Sequence, residues 1–160
     1  MRVLILTNRV PFPPNSGYPI VVYNTIKGLL KLGVEISVFS INPSKYKVDV
    51  DDIYDPIHDQ INFHSYNIDT EVNIWGAFFN IFSNQSYNVS RYFDADAAKI
   101  LSNILKEQEF DVVQVEGLFV VPYLDIVKEH SKAKFIYRAH NIEFDIWERL
   151  AARERFRPRR

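Results

Sequence analysis

The chain has 160 residues, 19 Lys and Arg against 20 Asp and Glu, four His and no Cys. One domain of ordinary size fits this length, and 47% hydrophobic residues supply enough apolar mass for a core, which excludes a disordered chain. A disulfide framework, a thiolate nucleophile and a cysteine zinc site are excluded as well, and a net charge of −1 argues against a domain wrapped in nucleic acid.

Val3-Leu4-Ile5-Leu6 is a short continuous apolar run, the pattern of a strand buried on both faces. Met1 to Thr7 lacks the small-residue cleavage pattern of a secretory signal, and no apolar run approaches the roughly 20 residues that span a bilayer. The cytoplasm is therefore the expected compartment. Asn8 to Gly17 holds three prolines, two asparagines, a serine and a glycine, and predicts a loop. Beyond Pro19, residues Val22, Ile26, Leu29 and Leu30 recur at helical spacing, and Gly33 supplies a stop. Val34 to Ile41 alternates and is β-branched, so it predicts a second strand and closes a βαβ unit.

Residues 42–59 are polar and predict a surface connection; Gln60 to Tyr66 alternates as a weaker strand. Residues 70–93 hold seven of the 23 aromatics, with Trp75, Phe78, Phe79 and Phe82 on one face of a helix. That stripe either packs on the sheet or forms an apolar rim for a greasy or glycan acceptor. Asp94 predicts the N-cap of a helix through Gln108, with Ala97, Ile100, Leu101, Ile104 and Leu105 inward. Phe110 to Val115 is a fourth strand, Leu118 to Glu129 a helix with Pro122 near its start, Lys134 to Ala139 a fifth strand, and Ile142 to Arg155 a last helix. Five strands alternating with helices predict a doubly wound, Rossmann-like α/β domain: a parallel sheet with helices on both faces.

Charge is unevenly spread. Glu148 to Arg160 carries six Arg and two acids, a net of +4, which leaves −5 on residues 1–147. Such an end is a solvated helix face, a disordered tail or a contact for an anionic surface such as membrane lipid. Peripheral contact at the inner membrane face is the matching expectation.

Ligands of doubly wound sheets bind beyond the carboxyl ends of the strands. After the first strand, the prolines stiffen a loop that ends in Ser16, Gly17 and Tyr18, where helix N–H groups can approach an anion such as a diphosphate. The loop has neither the G-x-G-x-x-G spacing nor a P-loop lysine. Glu116 follows the fourth strand; it either orients a hydroxyl and accepts a proton or complements a helix dipole. After the fifth strand come Arg138, His140 and Asn141, with His140 where a strand delivers a side chain into the cleft. His58, His64 and His130 show no ligand spacing with it, so no metal site is expected, and no G-x-S-x-G elbow supports a hydrolase.

Together, MRVLILTNRVPFPPNSGYP with the following LLKLGVEISVFS, then FDVVQVEGLFVVPYL and YRAHNIEFDIWERLA, resemble the N-terminal domain of retaining family 4 (group 1) glycosyltransferases of the GT-B fold. The resemblance covers essentially all 160 residues. It implies an acceptor-side Rossmann-like domain facing a C-terminal donor-binding domain of the same protein that lies outside this sequence. It implies a nucleotide-sugar donor, a glycan or glycolipid acceptor, polysaccharide biosynthesis, and no cofactor or metal. By position, Gly17 corresponds to the glycine that approaches the donor diphosphate and His140 to the catalytic histidine on the transferred sugar. Asn141 and Glu116 correspond to acceptor-side residues. Tyr18 stands where the family often has a second glycine, so a side chain must be accommodated beside the phosphate contact. A stand-alone module binding a phosphorylated or glycan ligand, and an epimerase or phosphorylase of the same two-domain architecture, are the alternatives.

Overall fold

Strand residues alternate between two separate apolar clusters, one on each face of a single sheet. In the computed structural model, residues 1–71, 86–141, 145, 148–150 and 152 are described. Strand β1 (Arg2–Thr7) is buried from Val3 to Thr7. Its Val3 and Ile5 join Ile36 and Val38 of β2 (Glu35–Pro43) beneath helix α1 (Gly17–Lys31), which contributes Val22 and Ile26. Leu4 and Leu6 join Phe39 and Ile41 on the opposite face, under helix α2 (Ala95–Glu107) and helix α3 (Leu124–His130). Covering both faces explains why β1 reads as an unbroken apolar run.

Strand β3 (Asn62–Ile68), strand β4 (Val112–Glu116) and strand β5 (Lys134–Arg138) complete the sheet. The order is β3-β2-β1-β4-β5, and every neighbouring pair is parallel. The chain builds outward from β1 to β3, then returns to the far side of β1. The expected doubly wound Rossmann-like sheet with helices on both faces is present, and its strand order reverses between β1 and β4.

Gly33 adopts φ +71°, the left-handed conformation that ends α1 after Leu32. Asp94 caps α2 by accepting from the backbone N–H groups of Asp96 and Ala97, a contribution of about 1 kcal/mol. One expected helix differs. Residues Leu118–Tyr123 form a 3-10 segment, and the α-helix begins only at Leu124. Val120 and Tyr123 are both fully buried there, on the face that a three-residue repeat keeps together. Pro122 lacks an N–H and so fits the entrance of α3, not its interior.

Residues 145, 148–150 and 152 are helical, in keeping with a helix after β5. The aromatic positions Trp75, Phe78, Phe79 and Phe82, the aromatics Phe144 and Trp147 of the expected last helix, and the basic residues from Arg153 onward lie outside the described residues. No described helix is long and apolar enough to cross a membrane.

Candidate active site at the strand tips

The tips of β1 and β4 meet at the reversal, where Thr7 is the register partner of Glu116. Glu116 is fully buried. An ionised carboxylate in that position needs donors on both oxygens, and sheet register supplies them. Arg138 is the register partner of Glu116 on β5. Its Nε donates to Glu116 Oε2 at 2.8 Å, and its Nη2 lies 2.7 Å from Oε1. Gln114, two residues earlier and therefore on the same face of β4, donates to Oε1 through Nε2. His140, just beyond β5, brings Nε2 to 2.6 Å from Oε2. The guanidinium is anchored in turn by α1, since Arg138 Nη1 donates to Thr25 Oγ1 at 2.8 Å.

This arrangement orients His140. With the ring neutral, the Nε2–H donates to Glu116 and Nδ1 is left as an acceptor. No described residue hydrogen-bonds Nδ1. The ring keeps 13% exposure and forms part of a cavity wall.

Tyr18 explains how a side chain fits where the sequence raised the question. Its hydroxyl drops between the two strand tips and donates to the Glu116 carbonyl at 3.0 Å. There it accepts from the Asn8 N–H at 3.2 Å and pairs with Thr7 Oγ1 at 2.8 Å. Burial pushes this hydroxyl far above the ordinary tyrosine range, outweighing the hydrogen bonds that act the other way. The ring lies against His140, with centroids 4.3 Å apart. Gly117, at φ +82°, turns the chain away beside both rings; a Cβ there would sit 3.8 Å from each, in a conformation that disfavours side chains.

The cavity in front of these groups has a volume of about 310 Å³. Its walls include Asn8, Tyr18, Gly117, His140 and Asn141 together with Arg9, Lys45, Tyr46, Arg91 and Tyr92. Tyr18, His140 and Asn141, expected from the sequence, thus share one concavity. Two of the expected residues lie outside that lining. Glu116 does not line it, because its carboxylate is sealed behind His140 and satisfied by three side chains. Arg138 stands beside Glu116 as its counter-ion, about a third exposed.

Ser16 and Gly17 lie at the start of α1. Ser16 is its N-cap residue yet makes no side-chain cap bond, and its Oγ is buried without a partner among the described residues. Gly17 is exposed, and a Cβ there would meet nothing within 4 Å. The residues that sequence reasoning missed are Asn8, Arg9, Lys45 and Arg91 on the walls, and Gln114 and Thr25 behind them. Asn8, Arg9 and Lys45 carried a usable signal, since they directly follow the carboxyl ends of β1 and β2. Arg91 carried none.

No protein-family model matches the chain, and no curated protein sequence matches it. Among solved structures, TcCGT1 in complex with UDP aligns over 96% of this chain at 13% identity with a TM-score of 0.47. The chain spans 32% of that protein's length. A predicted subunit of a tRNA methyltransferase from Methanocaldococcus jannaschii aligns over 95% of this chain and 76% of its own, at 12% identity and a TM-score of 0.37. Both likenesses are too distant to add to what the strand order itself establishes.

Proposed function

We infer that the chain is the acceptor-side domain of a glycosyltransferase that moves a sugar from a nucleotide-sugar donor to a glycan or glycolipid acceptor. The observation that carries this reading is the posture of His140: one ring nitrogen held by a buried carboxylate, the ring facing a cavity at the strand tips. A neutral imidazole held this way accepts a hydrogen bond from a sugar hydroxyl and fixes its orientation. Asn8 adds a buried Oδ1 that no described residue satisfies, in the same cavity, which suits a second hydroxyl.

Transfer of a glycosyl group leaves negative charge on the departing diphosphate. The start of α1 presents backbone N–H groups to such charge. Gly17 fits that role because neither backbone angle nor neighbouring atoms require a glycine there, so the free space is available to a ligand. Asn141, exposed beside His140, is placed for the acceptor. Glu116 and Arg138 act through His140 as positioning residues. Retention of the anomeric configuration, and a second domain holding the nucleotide, follow from the resemblance of the sequence alone.

The test is acceptor-dependent nucleotide release from nucleotide sugars by the full-length protein. His140→Ala is expected to lower kcat about 100-fold or more with the fold intact, the scale of a lost positioning contact. The 160-residue chain alone is expected to show no turnover. Unchanged kcat in His140→Ala, or full turnover by the 160-residue chain, overturns the reading.

A further inference from the structure

Part of the cavity wall that His140 shares has a different chemistry. Arg9 leaves the tip of β1, Lys45 follows β2, and Arg91 precedes α2. The Arg9 guanidinium carbon lies 3.7 Å from the centroid of the Tyr46 ring, and Lys45 Nζ lies 5.3 Å from the same centroid. Arg91 packs by Tyr92 at 5.8 Å, and its Nε is buried with no hydrogen-bond partner among the described residues. Burial pushes the Tyr92 hydroxyl up, while the charges of Arg91 and Arg9 pull it back.

Among the described residues, none of the three cations forms an ion pair, whereas Glu116 behind His140 is paired with both Arg138 and His140. The adjoining hollow continues from Lys45 and Arg91 to Ser44, Thr70 and Glu71, and Glu71 makes no ion pair either. Three cations lining one cavity, two of them guanidinium groups beside aromatic rings, repel one another, and an anion between them relieves that repulsion. A guanidinium pair with an ammonium matches the oxygens of a phosphate group.

We propose that Arg9, Lys45 and Arg91 bind a phosphate or diphosphate carried by the acceptor. This rests on the glycosyl-transfer reading above and names the acceptor class it left open. Lys45 and His140 follow different strands, β2 and β5. The tips of β2 and β5 are three strand spacings apart, about 14 Å. A sugar beside His140 and a phosphate at the β1–β2 end therefore belong to one extended ligand lying across the sheet, while the start of α1 remains for the donor.

The experiment titrates the 160-residue chain with inorganic pyrophosphate, following backbone and guanidinium NMR signals. Saturable shifts at Arg9, Lys45 and Arg91 are expected, with binding weakened by salt. Arg9→Gln and Lys45→Gln are each expected to bind about tenfold more weakly, the loss of one charge-assisted contact. Arg91→Gln exposes a buried site to rearrangement, so the exposed Lys45 provides the variant that leaves the fold undisturbed. Phosphatidylcholine vesicles doped with a polyprenyl phosphate form the second arm. Displacement of pyrophosphate by those vesicles assigns the phosphate to a lipid-linked acceptor, and no displacement assigns it to a soluble sugar phosphate. Absence of saturable shifts, or wild-type affinity in both variants, overturns the proposal. His140→Ala is expected to retain wild-type pyrophosphate affinity, so loss of transfer and loss of phosphate binding are read separately.

Discussion

At the tips of one sheet, two sets of polar side chains are treated in opposite ways. Between β1, β4 and β5, Glu116, Arg138, Gln114 and Tyr18 spend their hydrogen-bonding capacity on one another and on the backbone. Around the rim, Arg9, Lys45 and Arg91 touch aromatic faces and form no ion pair among the described residues. The first set is closed and supports a shape; the second is open and leaves its charge for something else. Binding and stability should therefore separate cleanly between them, since a satisfied buried network costs stability when broken and an unsatisfied rim does not.

The sharpest way to break this contrast is Glu116→Ala. It leaves Arg138 and His140 facing an empty buried position, and a loss of about 3–5 kcal/mol in chemical denaturation is expected. A loss below about 1 kcal/mol would mean that the carboxylate is not the keystone of the strand tips.

Tyr18→Phe comes next. It removes a hydroxyl shared by Thr7, Asn8 and the Glu116 carbonyl, and about 1–3 kcal/mol is expected to go with it. The same hydroxyl makes an alkaline prediction. Burial raises the folded-state pKa of Tyr18 and of Tyr123 above the unfolded value near 10. Above that pH the unfolded chain has shed these protons and the folded chain has not, so stability falls as pH rises. Tyrosinate absorbance should show two of the nine tyrosines ionising only as the fold is lost, and Tyr18→Phe should reduce that number by one.

The smallest expected effect lies on the rim. Lys45→Gln should change stability by no more than about 0.5 kcal/mol, the range for exposed sites without a built-in partner. A clear stabilisation on removing this charge would sharpen the comparison further, by showing that the three cations repel one another at a measurable cost.

Much of this layout is legible in the chain. The apolar run of β1 and the alternation of β2 announce strands because burial on two faces and pleating leave those patterns. Strand ends are less legible. Gln60 to Tyr66 reads as the third strand, yet β3 runs Asn62–Ile68, because pairing with Ser37 through Pro43 sets its register. Leu118 to Glu129 reads as one helix, yet the α-helix begins only at Leu124, with Pro122, which lacks an N–H, just before that entrance.

For the site, the rule that ligands meet strand tips is enough to pick out Tyr18, His140 and Asn141, since it depends only on where strands stop. It cannot say which polar residue faces inward. Glu116 is adjacent to that wall in sequence and sealed behind it in space, because Arg138 lies directly across the β4–β5 pairing and His140 closes over both. Arg91 is the converse case: it lies within the aromatic-rich stretch 70–93, and only the fold brings it to the cavity that Asn8 and Arg9 after β1 and Lys45 after β2 also line. Sequence by itself determined the architecture and the end of the sheet that matters, for these follow from local periodicity and chain order. Tertiary structure alone decided which charges are neutralised and which are left free, because that depends on residues brought together from strands far apart in the chain.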